Sequence, residues 1–421
     1  MATRMSVTVT PTAIVVAFTA LISFIVAFAM SSMLAHLIGA LALSLLAASI
    51  ALAVFSVRSL TVTRTVPSTA FDGNALRMEF EVRNDGRTSR RLVEVTCGYY
   101  ASHVVNGRLS TLAAEIPAGG SAVLSATIED ARRGEYVFQP PTVMSGDPFG
   151  LVIVARTADE LEEPTVRVTV FPLTFPIDRM SILSEMSWSF TGVEPTNRPG
   201  LGGEILGTRE YRWGDSVRAI HWPLSARMGE LIVKEFERSA STEVSIFVDL
   251  DSKAAWGTGR DQTLEYSVRI AASAADYACR RGNSVRLVAY GSQWIVVPPG
   301  KGMHHQQMLM HYLAAFQSTG QTPFNYVIGQ MAPRLREGSS AVIVFPNEHL
   351  HLDLFGPALE ALWARRIRLT AILLNVESFL EGAAAGSPPD FSAAAYLSGR
   401  GATVYMVSRG DDLGRCLSVP V

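Results

Sequence analysis

The ten residues Val244–Lys253, VSIFVDLDSK, decide how the C-terminal half of the chain folds. Val244 to Leu250 reads as a continuous apolar strand, the pattern of a strand buried on both faces, and such strands belong to parallel sheets covered by helices. The sequence that follows keeps this alternation. A helix with an alanine-rich face is expected over Leu264–Arg281 and a strand over Ser284–Tyr290. A short hairpin strand follows at Trp294–Val297, then helices at Met303–Phe316 and Phe324–Leu335. Ala341–Phe345, Arg368–Leu374 and Thr403–Val407 read as strands and Gly356–Arg366 as a helix. Residues 240–421 are therefore expected to form an α/β domain with a mainly parallel sheet. Ligands of such sheets sit beyond the carboxyl ends of the strands, and the first strand delivers Asp249, Asp251, Ser252 and Lys253 to that place.

Immediately upstream, residues 202–237 read GGEILGTREYRWGDSVRAIHWPLSARMGELIVKEFE. Both charge signs are mixed here with Tyr211, Trp213 and Trp222, in a chain that is otherwise apolar. Gly214-Asp215 marks a turn, with Asp215 expected to cap a short helix through Val217, Arg218 and Ile220 that Pro223 stops. A strand over Leu231–Phe236 follows. The candidate binding residues are Arg209, Glu210, Tyr211, Asp215, Arg218, Trp222 and Arg227. Arginine forks hold carboxylates, or an anionic partner, in fixed bidentate geometry. Alternatively Arg209, Arg218 and Arg227 pair with Glu210, Asp215 and Glu235 and weld a linker, residues 176–239, between two domains. A chemical reading, hydrolase or transferase, rests on Asp215 and His221 beside these arginines, with His221 as base. No activated nucleophile accompanies them, so no catalytic residue is assigned and a binding protein is expected rather than an enzyme.

From Leu60 to Pro172 apolar and polar residues alternate with period two, as in Leu76–Val82, Leu92–Val95 and Ala122–Ile128. Asn84-Asp85-Gly86, Pro117-Ala118-Gly119-Gly120 and Arg133-Gly134 punctuate these runs as turns. Residues 60–175 are expected to form six to eight strands in an immunoglobulin-like antiparallel β-sandwich. In Ser145–Gly150 the Asp147 side chain is placed to bond its own following backbone; Phe149 is expected to plug into the sheet, the other reading being a docking loop.

Residues 1–59 hold two runs free of charge, Ala13–Met30 and Met33–Val57. Each is long enough to cross a hydrocarbon layer of about 30 Å as a helix. The link Ser31-Ser32-Met33 forces a tight hairpin. Arg4 precedes it, Arg58 and Arg64 follow it, and the turn carries no basic residue, so both ends are expected on the cytoplasmic side of the inner (plasma) membrane, with the bulk of the chain cytoplasmic. His36 is expected near the interface.

The 421 residues exceed one core and predict two or three folded units. Hydrophobic residues make up 48% and mean hydropathy is positive, which suits a lipid-embedded segment. With 36 basic and 38 acidic residues, net charge −2, there is no basic field to attract nucleic acid. Cys97, Cys279 and Cys416 are scattered and form no CxxC pair, which argues against a disulfide scaffold. His304-His305, His311, His349 and His351 show no metal-ligand spacing, and neither a P-loop nor a nucleophile elbow occurs.

Gly202-Gly203-Glu204, Arg209-Glu210-Tyr211, Gly214-Asp215, Arg218-x-Ile220-x-Trp222 and Ser225-Ala226-Arg227, in this order, closely resemble the signature of the bacterial family called domain of unknown function 58 (DUF58). Arg133-Gly134-x-Tyr136 and Asp147–Leu151 resemble that family's upstream motif. Trp222-Pro223 departs from it, the family commonly having Trp-Lys. The resemblance implies a von Willebrand factor type A-like C-terminal domain. Such domains hold Mg²⁺ with Asp-x-Ser-x-Ser, a distant threonine and a second-loop aspartate, since a hard divalent ion takes oxygen ligands. Asp249 matches the first aspartate, Asp251 stands at the first serine and Lys253 replaces the second. Thr319 or Thr322 fits the threonine, and Pro346-Asn347-Glu348 offers no aspartate. Asp249, Asp251 and Ser252 would hold an ion, but the expectation is a vestigial site closed by Lys253 against the two aspartates. The resemblance further implies a MoxR-class AAA+ ATPase as partner. The chain is then expected to be a membrane-anchored interaction or adaptor protein in assembly or maturation of envelope components, with an inert scaffold as a further alternative.

Overall fold

The computed structural model describes residues 5–158, 163–180, 205–213, 215, 217, 220–236, 243–347, 352–380 and 391–420. Contacts divide the chain into two compact units. The first comprises Met1–Thr174 with Gln307–Gln317, and the second comprises Phe175–Gln306 with Ser318–Val421.

Unit 1 begins with a strand that the sequence reading assigned to the hairpin region: β1 (Met5–Val9) precedes α1 (Pro11–Met30) and α2 (Met33–Arg58). The helices form because uninterrupted apolar residues leave the backbone no partner but itself. Thr10 caps α1 by accepting from the Ala13 amide, with Pro11 in the first turn, and Ser32 caps α2 through the Ala35 amide. Ser31, left-handed at φ 43°, closes the turn between them. His36 stands one turn into α2, its Nδ1 3.0 Å from the Ser32 carbonyl. Small residues line the seam between the helices: Ala13, Ala20 and Ala27 are buried on α1, and a Cβ at Gly39 of α2 would lie 3.0 Å from the Phe24 ring.

Only Ser59 separates α2 from β2 (Leu60–Thr65), which opens a run of strands: β3 (Thr69–Phe71), β4 (Leu76–Asn84), β5 (Arg90–Ala101), β6 (Val104–Ile116), β7 (Ser121–Ile128), β8 (Gly134–Phe138), β9 (Thr142–Gly146), β10 (Val152–Thr157) and β11 (Val166–Phe171). They number ten among the described residues, more than the six to eight expected. β2, β4 and β7 form one sheet. The other runs β1-β10-β9-β5-β8-β11-β3, with β6 on β5. Alternation fixes which face is buried, cleanly so in β4, where every second residue is inside. Phe80, Met78, Val95, Tyr136 and Phe138 meet in one core shared by both sheets, a β-sandwich.

The Asp147 turn behaves as its chemistry demands. Oδ1 accepts from the amides of Leu151 (2.8 Å) and Val152 (2.7 Å), and Oδ2 accepts from Phe149 (2.9 Å). Phe149, however, does not plug the sheet. Once the backbone is folded around the carboxylate, its side chain is directed outward and is exposed. Within unit 1 the Arg133 guanidinium is buried, and Nη1 donates to the carbonyls of Leu313, Ala314 and Phe316 at 3.2, 3.2 and 2.7 Å.

Unit 2 contains the small module described below, with β12 (Ile205–Glu210), α3 (Trp222–Met228) and β13 (Ile232–Phe236), and then the α/β sheet. That sheet uses β14 (Glu243–Val248), a two-residue ladder β15 (Gly257–Thr258) with β16 (Asp261–Gln262), α4 (Thr263–Arg280), β17 (Ser284–Tyr290), β18 (Trp294–Gly300), α5 (Gly302–Ala315), α6 (Phe324–Met331), β19 (Ser340–Pro346), α7 (Leu352–Ala364), β20 (Arg368–Leu374), α8 (Ser392–Ser398), β21 (Thr403–Val407) and α9 (Leu413–Cys416). Strand order is β18-β17-β14-β19-β20-β21, and all neighbours are parallel except β18 on β17. β19 is buried along its whole length, as a central strand covered on both faces must be. His305 lies on α5, within the helix expected over Met303–Phe316, and is buried, with Nε2 2.7 Å from the Val285 carbonyl.

Candidate functional site

In the signature module β13 is paired on both edges. β12 lies antiparallel on one side, with Arg209 opposite Val233 and Glu210 opposite Ile232, and Ile220 bridges to Val233 on the other. The Tyr211 and His221 amides extend this pairing to the carbonyls of Leu231 and Ile232, both at 2.8 Å. Val217 stands in a 3-10 turn, its carbonyl accepting from the Ile220 amide at 3.3 Å, and a further short helix follows. Ile220 is a bridge residue, and the helix α3 begins at Trp222, so Pro223 opens a helix rather than ending one. Proline's missing N–H costs nothing in a first turn, where no acceptor waits for it. His221 caps α3, its Nδ1 accepting from the Leu224 amide at 3.2 Å, and left-handed Gly229 (φ 76°) ends it. Buried Ser225 locks the helix to the strand, its Oγ accepting from the Ile232 amide at 2.9 Å.

The arginine expectation holds at one pair. Arg209 grips Asp215 with both forks, Nη1 to Oδ2 at 2.7 Å and Nη2 to Oδ1 at 2.8 Å, and the Arg212 amide adds a third bond to Oδ2 at 2.8 Å. These bonds from Arg209 first, and then from the Arg212 amide, hold the Asp215 carboxyl down at about 2. A depressed folded pKa means that the carboxylate's contribution is complete above the ordinary range of about 3.9 and is lost as pH falls toward the folded value. A pH titration of the Asp215 carboxyl ¹³C resonance is therefore expected to find its midpoint near that lowered value, and a midpoint near 4 sinks the pair as the lock of this turn. Arg218, together with residues 202–204, 214, 216 and 219, lies outside the described residues.

The tryptophans face outward. Trp213 is 100% exposed and Trp222 59% exposed, while Val217, Met228 and Leu231 are exposed as well. Arg212, Arg227, Glu210 and Glu230 are exposed around them, and Tyr211 is half-buried. The module's own interior is small: Ile220, Ile232, Val233 and Ser225. It has too few inward positions for two indoles, and both tryptophans are in solvent. Trp213, Val217, Met228 and Leu231 are not among the candidate binding residues read from sequence. The available signal was isolated large apolar side chains, without a helix or strand period, inside a charged run.

At the carboxyl edge of the sheet the aspartates hold backbone. Asp249 Oδ1 accepts from the Asp251 amide (2.9 Å), and Asp251 Oδ1 accepts from the Lys253 amide (3.0 Å), starting a single 3-10 turn, Ser252–Ala254. Both side chains are buried, so they form no exposed acidic rim, and Lys253 is exposed, contributing its backbone rather than its ammonium. Gly320 seals this edge: its amide donates to Leu250 and its carbonyl accepts from Ser252, both at 2.9 Å. A Cβ there would lie 2.8 Å from the Leu250 and Tyr290 carbonyl oxygens, which is why only glycine fits. Thr319 is carried to this edge beside it. In the second loop Asn347 spends its Oδ1 on the Val376 amide at 3.0 Å, and no group of three or more His, Cys, Asp or Glu side chains placed to hold a metal occurs among the described residues.

The family model "Protein of unknown function DUF58" matches residues 207–369. That match runs from the signature module into the α/β sheet. Among curated relatives, the uncharacterized protein YeaD of Bacillus subtilis is 25% identical over 240 residues, 56% of this chain and 57% of that protein. The uncharacterized protein Rv1480 of Mycobacterium tuberculosis is 27% identical over 182 residues, 41% of this chain and 53% of that protein. The chain thus spans about half the length of the curated relatives it matches. Among solved structures, the CARDB domain of PF1109 from Pyrococcus furiosus aligns at 17% identity with 27% of this chain and 94% of its own, with a TM-score of 0.18.

Proposed function

We propose that this chain is a membrane-tethered, non-enzymatic interaction protein whose signature module captures a protein partner. The observation that carries the reading is Trp213, wholly in solvent on a module locked by the bidentate Arg209–Asp215 pair. Exposed tryptophans flanked by arginines are the composition of binding hot spots, where a few anchors supply most of the affinity. The chemical alternative loses its reagents: Asp215 is committed to Arg209 and Arg212, and His221 Nδ1 to the Leu224 amide. The MoxR-class AAA+ ATPase implied by the resemblance is the proposed partner, in assembly or maturation of envelope components. The β18-β17-β14-β19-β20-β21 order with a single antiparallel edge supports the type A reading of the sheet. Two helices long and apolar enough to cross a bilayer support the tether, and Arg58 and Arg64 at the end of the hairpin support placing the bulk of the chain in the cytoplasm at the inner membrane.

The test uses the full chain in lipid nanodiscs and a purified MoxR-class ATPase from the same organism. Trp213→Ala/Trp222→Ala is expected to weaken capture about 30-fold or more, since a lost hot spot costs about 2 kcal/mol or more. Its Tm should be unchanged, because neither indole is buried. Unaltered capture by the double variant overturns the assignment of this face, and no capture by the parent chain overturns the ATPase.

A further inference from the structure

The foot of the helical hairpin carries an apolar surface that the tether does not use. β1 is the outermost strand of its sheet, and its register on β10 sets Val7 opposite Val154 and Val9 opposite Val152. Directly opposed residues of an antiparallel pair share a face. Val152 and Val154 are buried against Ala53 and Val57 of α2, and Ser56 Oγ meets Ser145 Oγ at 2.9 Å in the same contact. Val7 and Val9 therefore project on the helix side of the sheet, yet they are 49% and 53% exposed. Beside them the Asp147 turn is tied to the start of α1. Thr10 Oγ1 donates to the carbonyls of Gly150 (2.8 Å) and Leu151 (2.9 Å), and Thr12 Oγ1 donates to Gly150 (3.2 Å). This fixes Phe149, 58% exposed, at the level of the first turn of the helix.

Arginines surround the other helix end. Arg90 Nη2 donates to the Phe55 carbonyl (3.2 Å), and Arg156 Nη1 to the carbonyls of Arg58 (3.3 Å) and Leu60 (2.9 Å), while Arg58 itself is exposed. Cations there complement the helix C-terminus. A single residue, Thr10, lies between β1 and α1, and a single residue, Ser59, lies between α2 and β2. No linker lets the sheet stand away from whatever surrounds the lower turns of the helices.

We propose that this foot is itself seated in the lipid interface, with Val7, Val9 and Phe149 at the acyl boundary and Arg58, Arg90 and Arg156 at the level of the phosphates. The proposal rests on the membrane-spanning reading of the hairpin. Lipid is the occupant because Ile14, Val15 and Phe18, exposed apolar residues in the first turns of α1, follow β1 with only Thr10 between, and Thr10 and Thr12 tie the Phe149 turn to that same helix start. Interfacial elements of this kind sink about 5–10 Å into the headgroup and acyl boundary, and arginines snorkel to the phosphates above them.

The experiment places single spin-labelled cysteines in the full chain, with Cys97, Cys279 and Cys416 replaced by alanine, reconstituted in phosphatidylcholine/phosphatidylglycerol vesicles. Labels at Val7 and Phe149 are compared with Phe18 on the helix and with Leu112 and Val123, exposed apolar positions elsewhere in the same unit. The readout is collision with oxygen, which concentrates in lipid, against a water-soluble nickel chelate. Labels 7 and 149 are expected to give an oxygen-to-nickel ratio several-fold above labels 112 and 123 and below label 18. If 7 and 149 match 112 and 123 while 18 reads lipid, the seat is overturned and the tether stands. If 18 also reads water, the membrane-spanning reading falls with it. If 7 and 149 are shielded from both reagents, a protein covers the foot, and the lipid seat is again overturned.

Discussion

Asp147→Ala is expected to lower the melting temperature of the unit that carries it by about 6–12 °C. The substitution strips the acceptor from the amides of Phe149, Leu151 and Val152, two of which are bonded in fully buried surroundings. Each buried donor left unsatisfied costs about 1–3 kcal/mol, so a total of about 3 kcal/mol is a moderate expectation, and a unit of this size loses about 2–4 °C per kcal/mol. Asp147→Asn keeps one acceptor oxygen and should fall between. The pH dependence gives a second readout. Burial opposes ionisation of Asp147, but the amides of Val152, Phe149 and Leu151 outweigh it and hold the carboxyl below its ordinary range. Its contribution is therefore complete above the unfolded value of about 3.9 and disappears as pH falls through the lower folded value. A parent chain with the acid sensitivity of the asparagine variant would show that the three amides find other acceptors.

Arg133→Met is expected to be nearly as damaging. Methionine fills the volume but leaves the carbonyls of Leu313, Ala314 and Phe316 without their shared donor, at the end of α5 where the helix dipole already favours a cation. Hydrogen bonds to a charged donor are worth about 1.5–3 kcal/mol each when removed singly, and sharing one nitrogen keeps the total near about 3 kcal/mol. Arg133→Lys should recover part of it, since an ammonium supplies the charge but not the planar fork. Amide hydrogen exchange in the last turn of α5 is the sharper measurement. Faster exchange confined to that turn is expected, and unchanged exchange with unchanged Tm removes Arg133 from this role.

Much of the architecture was legible because single physical constraints act locally. An unbroken apolar run free of charge has few soluble fates, so both hairpin helices were found to within a few residues. Period-two alternation exposed β4 and β7, and unbroken apolarity exposed β14, β19 and β20. Asp147 was readable because a short carboxylate in a Pro-Phe-Gly turn has its own backbone within reach. What failed was everything decided by a distant partner. β1 is five residues of modest pattern whose meaning comes from β10, 143 to 151 positions away in the ladder from Val9↔Val152 to Met5↔Arg156. Pro223 was misread because a proline both stops and starts helices, and only the return of Ile220 to β13 decides between them. In the site, the arginine–carboxylate lock was visible in composition, whereas the outward setting of Trp213 was not. No local rule tells an indole destined for a core from one held out of it.

The strand that precedes the first helix has a consequence for how the molecule is made. Its ladder cannot close until β10 has left the ribosome, more than 140 residues after β1 itself has been made. Until then β1 waits unpaired, and the sheet lacks its outermost member. On the membrane-spanning reading proposed above, a copy whose leading end lay on the other side would forfeit five residues of pairing and leave the β10 edge bare.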